Sequence, residues 1–401
     1  MKKLLVNLIS EQTIPVLLSI NSFPEAKHHL FITTRKMEDA ETGRRSLWLK
    51  KAANLDPVNV VVTEVLADDY NDIMAKLGSE QMEDYYKEFD EIIVNITGGN
   101  KLMSIAVNEF FKGKTENIYY LPIHNETYVI PNNPLYKKTV NSLLSIETYL
   151  GACGLHKTDK RVSFKQPLNS PRAFTFEELE RLLGEFLVNE ELRAKSERLR
   201  LLFRADDSVY RFKKDKLDYS VLPEADEIDE ILTSFGFSSD EMIGKKTVDF
   251  ITGGWYEEYV YYLVCSMFEK EGLVPVGYDL EDFVKIGVQL SPKAGDEFKA
   301  KYFTSNDLDV IFILNSKLYV IECKSGGMDK TYDYNRTVYM QSALRKYFGL
   351  SVTSVLCTLS SVSEENMEKA KVFGIKVLDK SYFANSINEK SIKDFSQSKR
   401  D

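Results

Sequence analysis

Apolar and polar positions alternate along the first third of the chain in two different rhythms. Short apolar runs at residues 3–9, His29–Ile32, Val58–Val62, Glu91–Ile96 and Asn117–Pro122 have the length and residue types of buried strands. Between them lie helical runs: one broken early by Pro15, a charged one at roughly 38–53, an amphipathic one over 70–88, and Leu102–Phe111. Strands alternating with helices predict a parallel, doubly wound α/β sheet with right-handed crossovers.

Such sheets bind ligands beyond the carboxyl ends of their strands. Three polar strand ends stand there: Ser10–Thr13, Thr33–Arg35 and Thr97-Gly98-Gly99-Asn100-Lys101. The last is the sharpest. Two glycines let the backbone turn tightly and approach a ligand, and the next helix turns free N–H groups and a positive dipole end toward an anion. Lys101 adds a charge, and Thr97 and Asn100 add hydrogen-bonding groups. The stretch is neither a Walker A loop nor the dinucleotide fingerprint. The plainer reading is a βα turn with an Asn cap.

Residues 125–170 carry Pro131, Pro134 and Pro167, with a helix expected near 137–150 and ended by Gly151-Ala152-Cys153-Gly154. The first domain is placed at 1–150. Residues 174–203 read as helical and strongly charged, with Phe176, Leu179, Leu182, Leu183 and Phe186 at helical spacing. Arg193, Lys195, Arg198, Arg200 and Arg204 follow. This makes 151–224 a helical connector, either a solvated face or a small helix-turn-helix-like module. An acidic helix opens the last domain, 225–401. Thr252-Gly253-Gly254 then precedes a helix running to about Lys270. Glu258 lies about 100° around it from Glu257 and is expected to face solvent.

Two apolar runs, Val310–Leu314 and Leu318–Ile321, flank Asn315-Ser316-Lys317, a hairpin pattern. A two-residue turn at Asn315-Ser316 pairs Leu314 with Lys317 and sets Asp309 opposite Glu322. A turn at Ser316-Lys317 sets Asp309 opposite Lys324. With either turn Asp309, Glu322 and Lys324 share one face, because side chains alternate along a strand. A three-residue loop would break the arrangement. Two carboxylates and a lysine so placed suit a hard cation such as Mg²⁺ or Mn²⁺, with the lysine beside it for a water or phosphate oxygen. The alternative is an exposed edge hairpin in which Lys324 simply pairs with an acid. Further strands are expected at Ser351–Cys357 and Gly374–Leu378, with helices at Val338–Phe348 and 363–372, and a frayed polar tail from Asn388.

Composition narrows the partners. The net charge of −9 excludes a protein coated in basic surface, so a nucleic acid would have to meet a local basic cleft. Cys153, Cys265, Cys323 and Cys357 show no C-x-x-C spacing, which fits a reduced, cytoplasmic protein without a zinc site. No apolar run is long enough for a membrane span.

At Asp309 and Glu322-Cys323-Lys324 the chain resembles the PD-(D/E)XK nuclease superfamily. With the Thr97–Lys101 turn upstream, the whole resembles the CRISPR ancillary nucleases of type III systems, in which a Rossmann-like CARF domain is fused to a PD-(D/E)XK domain. The resemblance implies an endonuclease that cleaves DNA or RNA in antiviral defence. Its metal is held by Asp309, Glu322, the Cys323 carbonyl and Glu257, with Lys324 acting on the attacking water and Gln341 near the scissile phosphate. It also implies a homodimer whose paired sensor domains bind a cyclic oligoadenylate, most often cyclic tetra-adenylate. Thr97, Gly98, Gly99, Asn100 and Lys101 would hold the ring, with Ser10, Gln12 and Thr13 beside them. Two other readings stay open: a non-catalytic sensor that signals to DNA or a partner, and a restriction-like enzyme without nucleotide control.

Overall fold

The structure is a computed structural model. It describes residues 1–39, 44–122, 127–131, 137–156, 162–164, 173–204, 216–217, 223–237, 243–290, 308–326, 334–335, 337–339, 348–349 and 352–396. Gln341 lies outside them.

The first domain runs β1 (Lys3–Leu8), α1 (Ile14–Ser22), β2 (His28–Thr33), α2 (Arg35–Glu38), α3 (Arg45–Ala52), β3 (Val60–Glu64), α4 (Tyr70–Leu77), α5 (Glu80–Lys87), β4 (Glu91–Asn95), α6 (Lys101–Phe111) and β5 (Ile118–Tyr119). The sheet is parallel, in the order β3-β2-β1-β4-β5. Its order turns back between β1 and β4, so the crevice at their carboxyl ends is the place such folds offer a ligand. The single helix expected over 70–88 is two, α4 and α5, because Gly78 caps the first and Ser79 starts the second. The helix expected at 137–150 is a ribbon of β6 (Thr127–Val129) with β7 (Lys137–Thr139), then a shorter α7 (Ile146–Ala152). Ser145 starts that helix by accepting the Thr148 N–H.

The second sheet has six strands in the order β15-β14-β13-β12-β11-β8: β15 (Ile375–Leu378), β14 (Thr353–Thr358), β13 (Lys317–Lys324), β12 (Leu308–Leu314), β11 (Val284–Leu290) and β8 (Val162–Phe164). Strand β8 comes from the stretch expected as a connector. So do α8 (Phe176–Val188), α9 (Glu190–Arg204) and β9 (Lys216–Leu217), the last pairing antiparallel with β10 (Ile243–Gly244) in a separate ribbon. With α10 (Ala225–Ser234), α11 (Lys245–Asp249) and α12 (Trp255–Lys270) the helices α8 and α9 bury Leu182, Phe186, Leu199, Ile231 and Trp255 in one cluster with Phe312, Ile321 and Val355 of the sheet. Helix α8 starts on a capping box between Thr175 and Glu178. Four cations of α9 are tied down. Arg198 pairs with Glu227 at 2.7 Å, Lys195 with Glu230, Arg200 with Glu197, and Arg193 donates to the last carbonyls of α8. The expected frayed tail is not frayed at its start: Ile392 and Phe395 are buried against the same cluster, because their apolar side chains pack under the C-terminal end of α12.

The two domains share a core. Leu5, Ile14, Leu49 and Tyr149 of the first are buried in one cluster with Ile311, Ile313, Leu318, Val320 and Phe348 of the second. The other face of the first sheet, with Leu4, Val6 and Val94, is closed by α4, α5 and α6.

Candidate functional site

The β12–β13 hairpin carries the first site. Asn315 and Ser316 both stand at positive φ, 50° and 59°, the two-residue turn whose twist suits a hairpin. Leu314 faces Lys317, and the ladder closes on Val310 and Ile321. One step further Asp309 stands opposite Glu322, the first of the two registers open from sequence. There the carboxylate takes over from the backbone ladder, and the Cys323 N–H donates to Asp309 Oδ2 at 2.7 Å. Lys324, two residues after Glu322 on the same strand face, donates to the Glu322 carboxylate. This face continues inward as Ile311, Ile313, Leu318 and Val320, which anchor the polar end in the shared core.

Electrostatics tie a third acid to this pair. Burial pushes the Asp309 carboxyl well above the usual range, and the charges of Glu322 and Glu257 push it the same way against Lys324 and the Cys323 N–H. Glu257, near the start of α12, therefore lies within electrostatic reach of the hairpin acids. Burial pulls the Lys324 ammonium down, but Glu322 and Asp309 outweigh it and the net shift is upward. Among the described residues no three His, Cys, Asp or Glu side chains are already closed around one point. The acid set is open, with Lys324 on one of its members.

Glu258 corrects the expectation from sequence. It is 4 % exposed, not solvent-facing, and its Oε2 has no hydrogen-bond partner among the described residues. Its helical neighbours Trp255, Tyr259 and Tyr262 lie under Phe186 and Phe176 of α8, so the flank that a lone helix would show to water is covered. Burial first, and Glu257 second, push its carboxyl up to about 8.

The second site is the crevice at the ends of β1 and β4. A Cβ on Gly98 would stand 1.9 Å from the Leu8 carbonyl oxygen, and Gly99 sits at φ 72°. Glycine is required at both, by contact at the first and by conformation at the second. Asn100 caps α6: its Oδ1 accepts the Met103 N–H at 2.8 Å while its Nδ2 donates to the Ala67 carbonyl at 2.7 Å. The Thr97 hydroxyl donates to Asn95 Oδ1 and accepts the Leu121 N–H at 2.8 Å. Asn95 in turn donates to Asn7 Oδ1 at 2.9 Å, across the two central strands. Thr97 and Asn100 thus build the turn, and Lys101 stands exposed at the start of α6. Asn7 and Asn95, both fully buried, escape a search for motifs because single asparagines in apolar strands carry no spacing signal.

On the β1 loop, Ser10 Oγ accepts the Gln12 N–H at 3.2 Å, which closes the loop on itself. The Thr13 side chain turns inward and donates to the Ala152 carbonyl at 2.7 Å. Gln12 points to the second domain.

A doubly wound sensor-like sheet joined through a common core to a sheet with an acid-lined hairpin defines a class: a CARF domain fused to an endonuclease domain. Family models agree domain by domain. Residues 4–149 match the Card1 CARF domain, and residues 244–396 match the Card1-like endonuclease domain. The chain belongs with the Card1-like proteins, a CARF domain joined to a Card1-like endonuclease domain.

Solved structures share the fold. Can2 from Sulfobacillus thermosulfidooxidans, in complex with cyclic tetra-adenylate, aligns over 94% of this chain and 96% of its own at TM-score 0.67 and 17% identity. The protein VC1899 from Vibrio cholerae aligns over 95% of both chains at TM-score 0.70 and 17% identity. A type III CRISPR defence DNA nuclease activated by cyclic oligoadenylate aligns over 94% of this chain and 50% of its own at TM-score 0.50 and 14% identity. No curated protein sequence matches the chain. Among the described residues no helix is long and apolar enough to cross a membrane, and all four cysteines are free.

Proposed function

We propose that the chain is a divalent-metal-dependent nuclease of DNA or RNA, switched on by a cyclic oligoadenylate such as cyclic tetra-adenylate, and that it acts in the cytoplasm as a homodimer. The observation that carries this reading is the hairpin end: Asp309 opposite Glu322, Lys324 beside them and Glu257 in electrostatic reach, inside a domain matched to a nuclease family. The similarity to a Can2 structure that holds cyclic tetra-adenylate supports the activator.

The residues suit Mg²⁺ or Mn²⁺. They offer hard oxygen donors, and a divalent cation would relieve both the burial and the neighbouring acid charges that raise Asp309. Asp309, Glu322, Glu257 and the Cys323 carbonyl would hold it. The bound ion supplies a water of lowered pKa and neutralises charge on the phosphate. The chain's own groups do the rest. The Cys323 N–H orients the Asp309 carboxylate. Lys324, beside the Glu322 carboxylate, would act electrostatically on a phosphate oxygen or on the attacking water.

On the sensor side, the α6 N-terminus and Lys101 would take the ring phosphates. One such turn offers one helix end and one lysine. A ring of four phosphates calls for a second copy related by a two-fold axis.

The test is cleavage of RNA, single-stranded DNA and duplex DNA, with and without cyclic tetra-adenylate, in Mg²⁺ and in Mn²⁺. Activity on at least one polymer, stimulated by the ring and abolished by Glu322→Ala and by Lys324→Ala, is expected. Full activity in either variant, or none in the parent protein, refutes the reading.

A further inference from the structure

The loop after β1 divides its side chains between two domains. Ser10 holds the loop to itself and Thr13 is pinned to the end of α7. Gln12 reaches across: its Oε1 lies 2.5 Å from the point where a Cβ on Gly349 would stand. Gly349 has φ 86°, a conformation that favours glycine, and the missing Cβ is what lets the Gln12 amide lie against that backbone. The residue before it, Phe348, is fully buried, and its carbonyl accepts the Tyr149 hydroxyl at 2.9 Å. A third link lies at the hairpin itself, where Ser316 Oγ donates to the Ser142 carbonyl at 2.7 Å.

These contacts converge on one face of one sheet. Phe348 is buried in the cluster that holds Ile311, Ile313, Leu318 and Val320. Those side chains lie on the strand face that, two steps on, presents Asp309 and Glu322. The acids of the nuclease therefore sit at the end of the face that looks toward the sensor, where Tyr149 meets Phe348 and Gln12 meets Gly349.

We infer that Gln12 and Tyr149 are positioning residues for cleavage: they carry the state of the β1 loop to the hairpin acids through Phe348 and Gly349, and Gln12 is the coupling contact rather than a ligand of the effector. Gln12 suits this role because it stands two residues from Ser10 and directly before Thr13, in the loop that borders the effector crevice, while its side chain belongs to the other domain. Tyr149 is the fixed point, with its hydroxyl buried in the shared core. A ligand changes activity only by favouring one arrangement over another, and packed cores have discrete arrangements rather than a continuum. This inference rests on the proposed activation by a cyclic oligoadenylate.

The experiment uses the full chain, with Gln12→Ala, Gln12→Glu, Tyr149→Phe and, as a binding control, Lys101→Ala. Cyclic tetra-adenylate affinity is measured by calorimetry, and kcat and KM for cleavage are measured with and without saturating ring. Gln12→Ala is expected to bind the ring like the parent protein and keep its KM, but to lose stimulation of kcat by on the order of tenfold, the range of ordinary allosteric couplings. Gln12→Glu, with the same shape, should regain part of it, and Tyr149→Phe should lose a similar factor.

Parent-like stimulation in Gln12→Ala overturns the inference. So does a loss of ring affinity matching that of Lys101→Ala, which would return Gln12 to the binding crevice. Should Tyr149→Phe fail to fold, the half-buried Gln12 variants decide alone. A parent protein that cleaves but ignores the ring overturns the proposed activation itself, and that result is visible before any variant is compared.

Discussion

Glu258→Gln should make the nuclease domain more stable at alkaline pH and leave it nearly unchanged in acid. In the folded chain the Glu258 carboxyl titrates at about 8, against an ordinary value of 4.5, with burial the larger cause and Glu257 the smaller. Below pH 4.5 it is protonated in both states and contributes nothing. Between pH 4.5 and 8 the unfolded chain ionises while the folded chain does not, so stability falls as pH rises. Above 8 the full cost is present. A difference of roughly 3.5 pKa units corresponds to about 5 kcal/mol at 1.36 kcal/mol per unit, and local relaxation reduces this to about 2–3 kcal/mol. Glutamine keeps the shape, cannot ionise, and still leaves one polar atom without a partner, a cost of about 1 kcal/mol that does not depend on pH.

The assay is urea unfolding at pH 5, 7 and 9, followed by Trp255 fluorescence in a Trp48→Phe background. The chain has two tryptophans, and Trp255 lies in the same turn of helix as Glu258. The variant should gain on the parent steadily from pH 5 to pH 9. A gap that stays constant over that range would show that Glu258 does not titrate in the folded chain as its burial requires.

Gly98→Ala should cost about 2–3 kcal/mol and abolish effector binding, since its Cβ would overlap the Leu8 carbonyl and must push the turn away from β1; a parent-like melting temperature with intact calorimetric binding would contradict this. Lys101→Ala should weaken cyclic tetra-adenylate by about tenfold, the worth of one charge-assisted contact, without moving the melting temperature, because the side chain is exposed.

The hairpin was legible from sequence because its logic is arithmetic. Period-two alternation and a short polar turn put Asp309, Glu322 and Lys324 on one face in either register, and the positive φ of Asn315 and Ser316 decides between the two. The Thr97–Lys101 turn was legible for a related reason: glycines and an Asn cap state a local geometry. What tertiary contact decides was not legible. A helical wheel gives the angle between Glu257 and Glu258 but not the helix α8 that covers the second. The cations of α9 read as a basic face until their partners on α8, α9 and α10 are seen. Thr13 and Gln12 belong to a polar strand end, the usual place for a ligand, yet one faces α7 and the other faces a glycine more than three hundred residues further along the chain. Strand β8 is only three residues long, too short for any pattern.

The placement of the hairpin explains how an acidic chain can hold such a site in readiness. Asp309, Glu322 and Glu257 repel one another with Lys324 as the opposing cation, while Lys195, Arg198 and Arg200 of α9 pair with Glu230, Glu227 and Glu197. Strands free to part would separate these charges. Here they cannot part, because the same face is buried from Ile311 to Val320 against side chains of the sensor domain, and the turn at its far end is held to Ser142. The apolar core thus fixes the acids at a spacing that the charges alone would reject, which is the condition a cation site requires. That core is built from both domains: Leu5, Ile14, Leu49 and Tyr149 of the first are buried in it with Ile311, Ile313, Leu318 and Val320 of the second. The proposed control by a distant ligand would then act through that shared face, with Gln12 and Tyr149 as its contacts on Gly349 and Phe348.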